Sequence, residues 1–153
     1  MKSVHIKNLS IPFNNFTKKD KLDIKLGKKL GCEWIALSYV EDAKLIYKAK
    51  KLLGKNIGII SKIENKLAVK NIEEIIKASD AIMVARGDLA LDVGHSEVPK
   101  IQLGIIKKCN NNSKPVIVAT QMLESMINNF TATRAEINDC LLYTSDAADD
   151  LRC

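Results

Sequence analysis

The sequence predicts an α/β fold of about four parallel strands with intervening helices. Two observations predict it. Four short runs, WIALS (Trp34 to Ser38), IGIIS (Ile57 to Ser61), AIMVA (Ala81 to Ala85) and PVIVA (Pro115 to Ala119), are too continuously apolar for strands with one wet face and read as buried parallel strands. Each is followed by a longer segment with helical spacing, so the unit β-α recurs along the chain.

Taken in order, each element carries its own signals. Thr17 precedes the first helix with Asp20 three places on, as a capping box asks, and Gly31 ends it. The strand at 34–38 leads to a helix over Glu41 to Leu53, with Ala43, Ile46, Tyr47 and Ala49 as its apolar positions and Gly54 at its end. After the strand at 57–61, Leu67 to Lys77 repeats the pattern at Leu67, Val69, Ile72, Ile75 and Ile76. The strand at 81–85 is followed by a helix over Val98 to Cys109, with Ile101, Leu103, Ile105 and Ile106 apolar and Pro99 near the start, where a missing N–H does no harm. Pro115 opens the last strand, as a strand's first position permits.

Composition sets the frame. A chain of 153 residues, 46% apolar and 27% charged, can bury a substantial core as one domain. Its start, MKSVHIKN, lacks the apolar core of a signal peptide, and no run is long enough to span a bilayer, so a cytoplasmic protein without a membrane partner is expected. The four cysteines, Cys32, Cys109, Cys140 and Cys153, form no C-x-x-C pair and fit reduced thiols. The net charge of +6 comes from lysines beside Leu22, Leu26, Leu30 and Leu52 rather than from a continuous stripe. With one Trp and three Tyr to stack on bases, solvated helix faces account for it and no nucleic-acid partner is expected.

In parallel α/β architectures ligands bind at the carboxyl ends of the strands. Those ends carry Ser38, then Lys62 and Glu64, then Arg86 and Asp88, then Thr120 and Gln121, whereas the beginnings are mostly apolar. Side chains alternate along a strand, so Lys62 and Glu64 point the same way, roughly 7 Å apart. Glu64 and Asp88, from neighbouring strands, suit a hard divalent cation such as Mg²⁺, and Lys62 is a point charge suited to a phosphate in transfer. Gly87, before Asp88, suggests a turn that presents N–H groups to an anion. Each feature alone has a plainer reading: Lys62 and Glu64 as a surface ion pair, Thr120 as the cap of a following helix.

Five stretches, IISKIEN, SDAIMVARGDLAL, EVPKIQLGIIKKCN, KPVIVATQMLESM and TRAEIND, in this order and spacing, resemble the central barrel of pyruvate kinases; TKKDKLDIKLGKKLGCEWIALSYV resembles the segment before them. The resemblance implies a partial (β/α)₈ TIM barrel, with the family's lid and regulatory domains outside this chain. It also implies transfer of the phosphoryl group of phosphoenolpyruvate to ADP in glycolysis, giving pyruvate and ATP. By matching motif, Lys62 corresponds to the lysine that stabilises the phosphoryl group in transfer and Thr120 to the substrate-binding threonine near the enolate. Glu64 and Asp88 correspond to the Mg²⁺ (or Mn²⁺) ligands, and Ala85, Arg86 and Gly87 to the loop whose backbone faces substrate. K⁺, used by most of the family, would be held by residues upstream that are absent here, and the complete enzymes are usually homotetramers.

The domain boundaries that follow are 1–15, a remnant of the connection from the lid domain; 16–139, the central part of the barrel; and 140–153, CLLYTSDAADDLRC, a tail unlike the family. Ala90 stands where a glycine is usual after RGDL, and DVGHSEVP departs modestly from the family loop. Half a barrel leaves two open sheet edges, so this chain alone is expected to be inactive and its tail to lack order. Two other readings stay open. One is a Mg²⁺-dependent barrel aldolase of the citrate-lyase type, which lacks the ATQMLESM and TRAE motifs; the other is a non-catalytic fragment or binding module.

Overall fold

The structure, a computed structural model, describes residues 15–120, 122–134, 136 and 137. The expectations for the connection before residue 15 and for the tail at 140–153 lie outside the described residues. The chain forms two units, one up to Ala119 and the other from Thr120 onwards.

Four parallel strands, β1 (Trp34–Leu37), β2 (Gly58–Ile63), β3 (Ala81–Ala85) and β4 (Val116–Ala119), lie side by side in sequence order in the first unit. The pairing sets Trp34 against Gly58, Ile60 against Ala81 and Ile82 against Val116. Helices precede β1 (α1, Lys18–Lys29), link β1 to β2 (α2, Ala43–Leu53), link β2 to β3 (α3, Lys66–Lys70, and α4, Ile72–Ala78) and link β3 to β4 (α5, Arg86–Val93, and α6, Val98–Asn111). This is the predicted β-α repeat and a portion of a barrel.

The caps behave as the sequence asks. Thr17 and Asp20 form a complete capping box at α1, and Asp42 caps α2 by accepting from the amides of Lys44 and Leu45. Gly31 and Gly54 follow α1 and α2 at φ 73 and 84. In β2, Gly58 is required by close approach: a Cβ there would lie 2.5 Å from the Trp34 ring.

The predicted helix over Leu67 to Lys77 is broken at Asn71. Its amide closes α3 on the Leu67 carbonyl, while its side-chain Nδ2 donates to the Glu41 carbonyl across the fold (2.9 Å). The next turn restarts with Glu73 and Glu74, which suit a helix N-terminus. β2 also runs two residues beyond the predicted Ser61, because Lys62 and Ile63 continue the ladder with Met83 and Val84.

The core lies between the sheet and its helices. Ile46, Ile59, Ile63, Ile75, Ile76, Ile82, Leu89 and Ile105 are its largest fully buried side chains. Cys109 is buried with them, and burial pushes its thiol up to about 11, as befits an unreactive packing residue. At the amino ends of the strands, Asp80 accepts from the Ile59 amide (2.9 Å) and pairs with Lys50 (3.0 Å), tying α2, β2 and β3 together. β1 and β4 form the sheet's two margins, where Trp34 and Ile117 are exposed. Among the described residues no helix is long and apolar enough to cross a membrane.

The second unit contains a 3₁₀ turn over Glu124–Ile127, whose N-cap position is Leu123 at φ 54. Thr120, at φ 70, is therefore not the cap of that turn. Glu136 organises the unit: it accepts from the amides of Ser125 (2.8 Å) and Thr133 (2.7 Å) and from both hydroxyls. Ser125 above all, with Thr133, lowers the Glu136 carboxyl from 4.5 to about 2. A depressed carboxylate stabilises the folded form above its unfolded pKa, and the contribution disappears as pH falls through the folded one. In a two-dimensional NMR titration, the Ser125 and Thr133 amide resonances should move with a midpoint near 2; a midpoint at the ordinary 4.5 would show these hydrogen bonds to be absent in solution.

Candidate functional site

Three of the predicted positions, Lys62, Glu64 and Asp88, lie at the carboxyl ends of the adjacent strands β2 and β3. Lys62 is the penultimate residue of β2, and Glu64 follows its last residue. Alternation brings the two side chains together as expected: Lys62 Nζ lies 2.6 Å from Glu64 Oε1.

This is not a surface ion pair. The Glu64 side chain is only 1% exposed and that of Lys62 24% exposed, so the carboxylate is desolvated and needs every partner it has. Its second oxygen, Oε2, accepts from the backbone amide of Tyr39 at 2.6 Å. Lys62 Nζ also donates to Ser38 Oγ at 3.0 Å. The turn after β1 thus holds both charged groups at the end of β2.

The residues after Glu64 extend the network. Asn65 caps α3 through the Ala68 amide (2.8 Å) and donates to Glu41 Oε1 (3.2 Å). Burial raises the Glu41 carboxyl above its usual range, with the Asn65 hydrogen bond opposing it and nearby Asp42 adding to it. The Lys66 amide donates to Asp92 at the end of α5 (2.7 Å), which links the loop after β2 to the helix after β3.

Ala85, Arg86, Gly87 and Asp88 occupy the end of β3 and the first turn of α5, where the sequence suggested a turn. Ala85 is the N-cap residue, and the first helical positions are Arg86, Gly87 and Asp88. The segment expected as a turn is therefore the first turn of a helix. Arg86 is buried, whereas Asp88 is exposed. Since Ile63 pairs with Val84, Glu64 stands level with Ala85, and Asp88 follows three residues later at the same sheet end. Thr120 comes directly after β4 in the chain and belongs to the second unit.

Glu64 and Asp88 have the donor chemistry of a Mg²⁺ site: hard carboxylate oxygens, one directly after β2 and one in the first turn of α5, the latter open to solvent. Each Glu64 oxygen retains a lone pair beyond its present hydrogen bond, so the residues fit such an ion. Among the described residues, no group of three or more His, Cys, Asp or Glu is arranged to hold a metal. A cation with one or two protein carboxylates needs its remaining ligands from water and substrate.

Ser38 and Tyr39 are the contributors that sequence reasoning missed as site residues. Ser38 stood at a strand end, which is a signal. Tyr39 contributes a main-chain amide, for which its side chain gives none.

A family model described as pyruvate kinase, barrel domain, matches residues 1–151. A pyruvate kinase from Thermotoga maritima is 46% identical over 153 residues, spanning 98% of this chain and 33% of the relative. One from Agrobacterium vitis is 43% identical over 148 residues, 97% of this chain and 31% of the relative. The chloroplastic isozyme G of Ricinus communis is 42% identical over 149 residues, 95% of this chain and 36% of the relative. The chain thus spans about a third of the length of the curated relatives it matches.

Proposed function

The chain belongs to the pyruvate kinase family, and from that premise we propose that its strand-end site serves phosphoryl transfer from phosphoenolpyruvate to ADP, giving pyruvate and ATP. The observation that carries the proposal is the buried Glu64 carboxylate locked between Lys62 Nζ and the Tyr39 amide at the end of β2. Burying a charge pair costs several kcal/mol, so a fold that only needed stability would gain as much from apolar side chains.

Glu64 and Asp88 would hold Mg²⁺. When bound, the ion would supply positive charge that offsets the negative charge developing on the substrate. Lys62 then faces the phosphoryl group as it leaves the enol oxygen for the terminal phosphate oxygen of ADP, and its ammonium stabilises that group in flight. The enolate left behind becomes pyruvate by taking up a proton at its terminal carbon. By their match to the family's motifs, Ala85, Arg86 and Gly87 would face the substrate and Thr120 would act on the enolate. No covalent enzyme intermediate is needed. The reading extends to K⁺ dependence, a homotetramer and a cytoplasmic setting in the complete protein, although a relative is named chloroplastic.

Mn²⁺ binding, followed by electron paramagnetic resonance, tests the site. The chain should bind Mn²⁺ and hold it more tightly once phosphoenolpyruvate is added. Glu64→Gln and Asp88→Asn should each weaken the ion by at least tenfold. Unchanged Mn²⁺ affinity in both variants, or no response to phosphoenolpyruvate, would refute the assignment.

A further inference from the structure

Tyr39 stands at φ 52, in the left-handed region that non-glycine residues seldom enter, in the turn after β1, with Ser38 between it and the strand's last residue, Leu37. An aromatic residue there carries a conformational cost, which persists only when the surroundings hold it in place. The conformation has a definite result. It turns the Tyr39 amide onto Glu64 Oε2 at 2.6 Å, while the preceding residue, Ser38, accepts from Lys62 Nζ at 3.0 Å. Tyr39 and Glu64 are 25 residues apart in the chain, and Tyr39 itself is half exposed. Its hydrogen bond to the buried carboxylate is made by the backbone amide.

We propose that Tyr39 is a positioning residue: its left-handed backbone aims one amide at Glu64 Oε2 and so fixes the carboxylate plane, leaving Oε1 shared between Lys62 and an incoming cation. The inference rests on the reading of Glu64 as a metal ligand. It goes beyond that reading by assigning the orientation of the ligand to a main-chain group in the turn after β1. Hydrogen-bond partners that orient a metal-ligating carboxylate act this way, and losing one typically weakens the metal tenfold to a hundredfold.

Substitution separates backbone from side chain. Glycine and asparagine enter the left-handed region readily, whereas the β-branched valine resists it. In the 153-residue chain, a through-hydrogen-bond scalar coupling between the Tyr39 amide nitrogen and the Glu64 carboxylate carbon should be resolved by NMR. It should persist in Tyr39→Gly and Tyr39→Asn and vanish in Tyr39→Val. Mn²⁺ affinity should fall about tenfold to a hundredfold in Tyr39→Val and be restored in the other two. If Tyr39→Val fails to fold, Tyr39→Gly against Tyr39→Ala gives the same test, with glycine expected to bind Mn²⁺ more tightly. Equal losses in Tyr39→Gly and Tyr39→Val, or Mn²⁺ binding that ignores all the variants, would overturn the proposal, as would absence of the coupling in the natural chain. A natural chain with the coupling but no Mn²⁺ binding would instead refute the metal reading of Glu64 and support the hold of Tyr39 on its carboxylate.

Discussion

Lys62→Met is expected to lower kcat by roughly a hundredfold to a thousandfold in an enzyme completed to the length of its relatives. Methionine keeps the reach and bulk of the stem but removes the ammonium that sits 2.6 Å from Glu64 Oε1 and 3.0 Å from Ser38 Oγ. If that ammonium stabilises the phosphoryl group in flight, its loss falls on the transition state rather than on substrate binding, so kcat and kcat/KM drop together. Mn²⁺ affinity should survive or rise, because Glu64 retains the Tyr39 amide and loses a cation that competes with the metal. Steady-state kinetics beside Mn²⁺ titration distinguishes the cases. Turnover unaffected by the substitution would show that Lys62 has no role in the transfer. A parallel collapse of Mn²⁺ binding would mean that its role is to build the metal site.

The second large effect is on stability. Ile82, the second residue of β3, is fully buried and flanked in register by Ser61 of β2 and Val116 of β4. Replacing it with alanine removes three carbons from a packed interior and leaves a cavity that the paired strands cannot close, at a cost of about 2–5 kcal/mol. Domains of this kind are typically stable by about 5–15 kcal/mol, so Ile82→Ala should move the urea midpoint down by a large fraction with little change in slope. A cost below about 1 kcal/mol would show that the strand is loosely packed at Ile82. Asp88, exposed at the sheet end, is the contrasting control, because Asp88→Asn should leave the midpoint almost unmoved.

Local signals determined most of the fold. The four apolar runs became the four strands, and Thr17 with Asp20, Gly31 and Gly54 punctuated their helices as read, because capping and periodicity depend on neighbours within a few residues. The same alternation put Lys62 and Glu64 on one side of β2, and parallel topology alone put Glu64 and Asp88 at one end of the sheet. What the sequence could not decide is held by partners far away in the chain. The helix break at Asn71 is fixed by a hydrogen bond to the Glu41 carbonyl, and the extra length of β2 by its ladder with β3. Whether Lys62 and Glu64 would be a wet surface pair or a buried one depended on how the turn after β1 closed over them. Only the tertiary structure sets that turn's backbone at Tyr39, since an amide's direction follows from φ and not from the identity of the side chain that the sequence records.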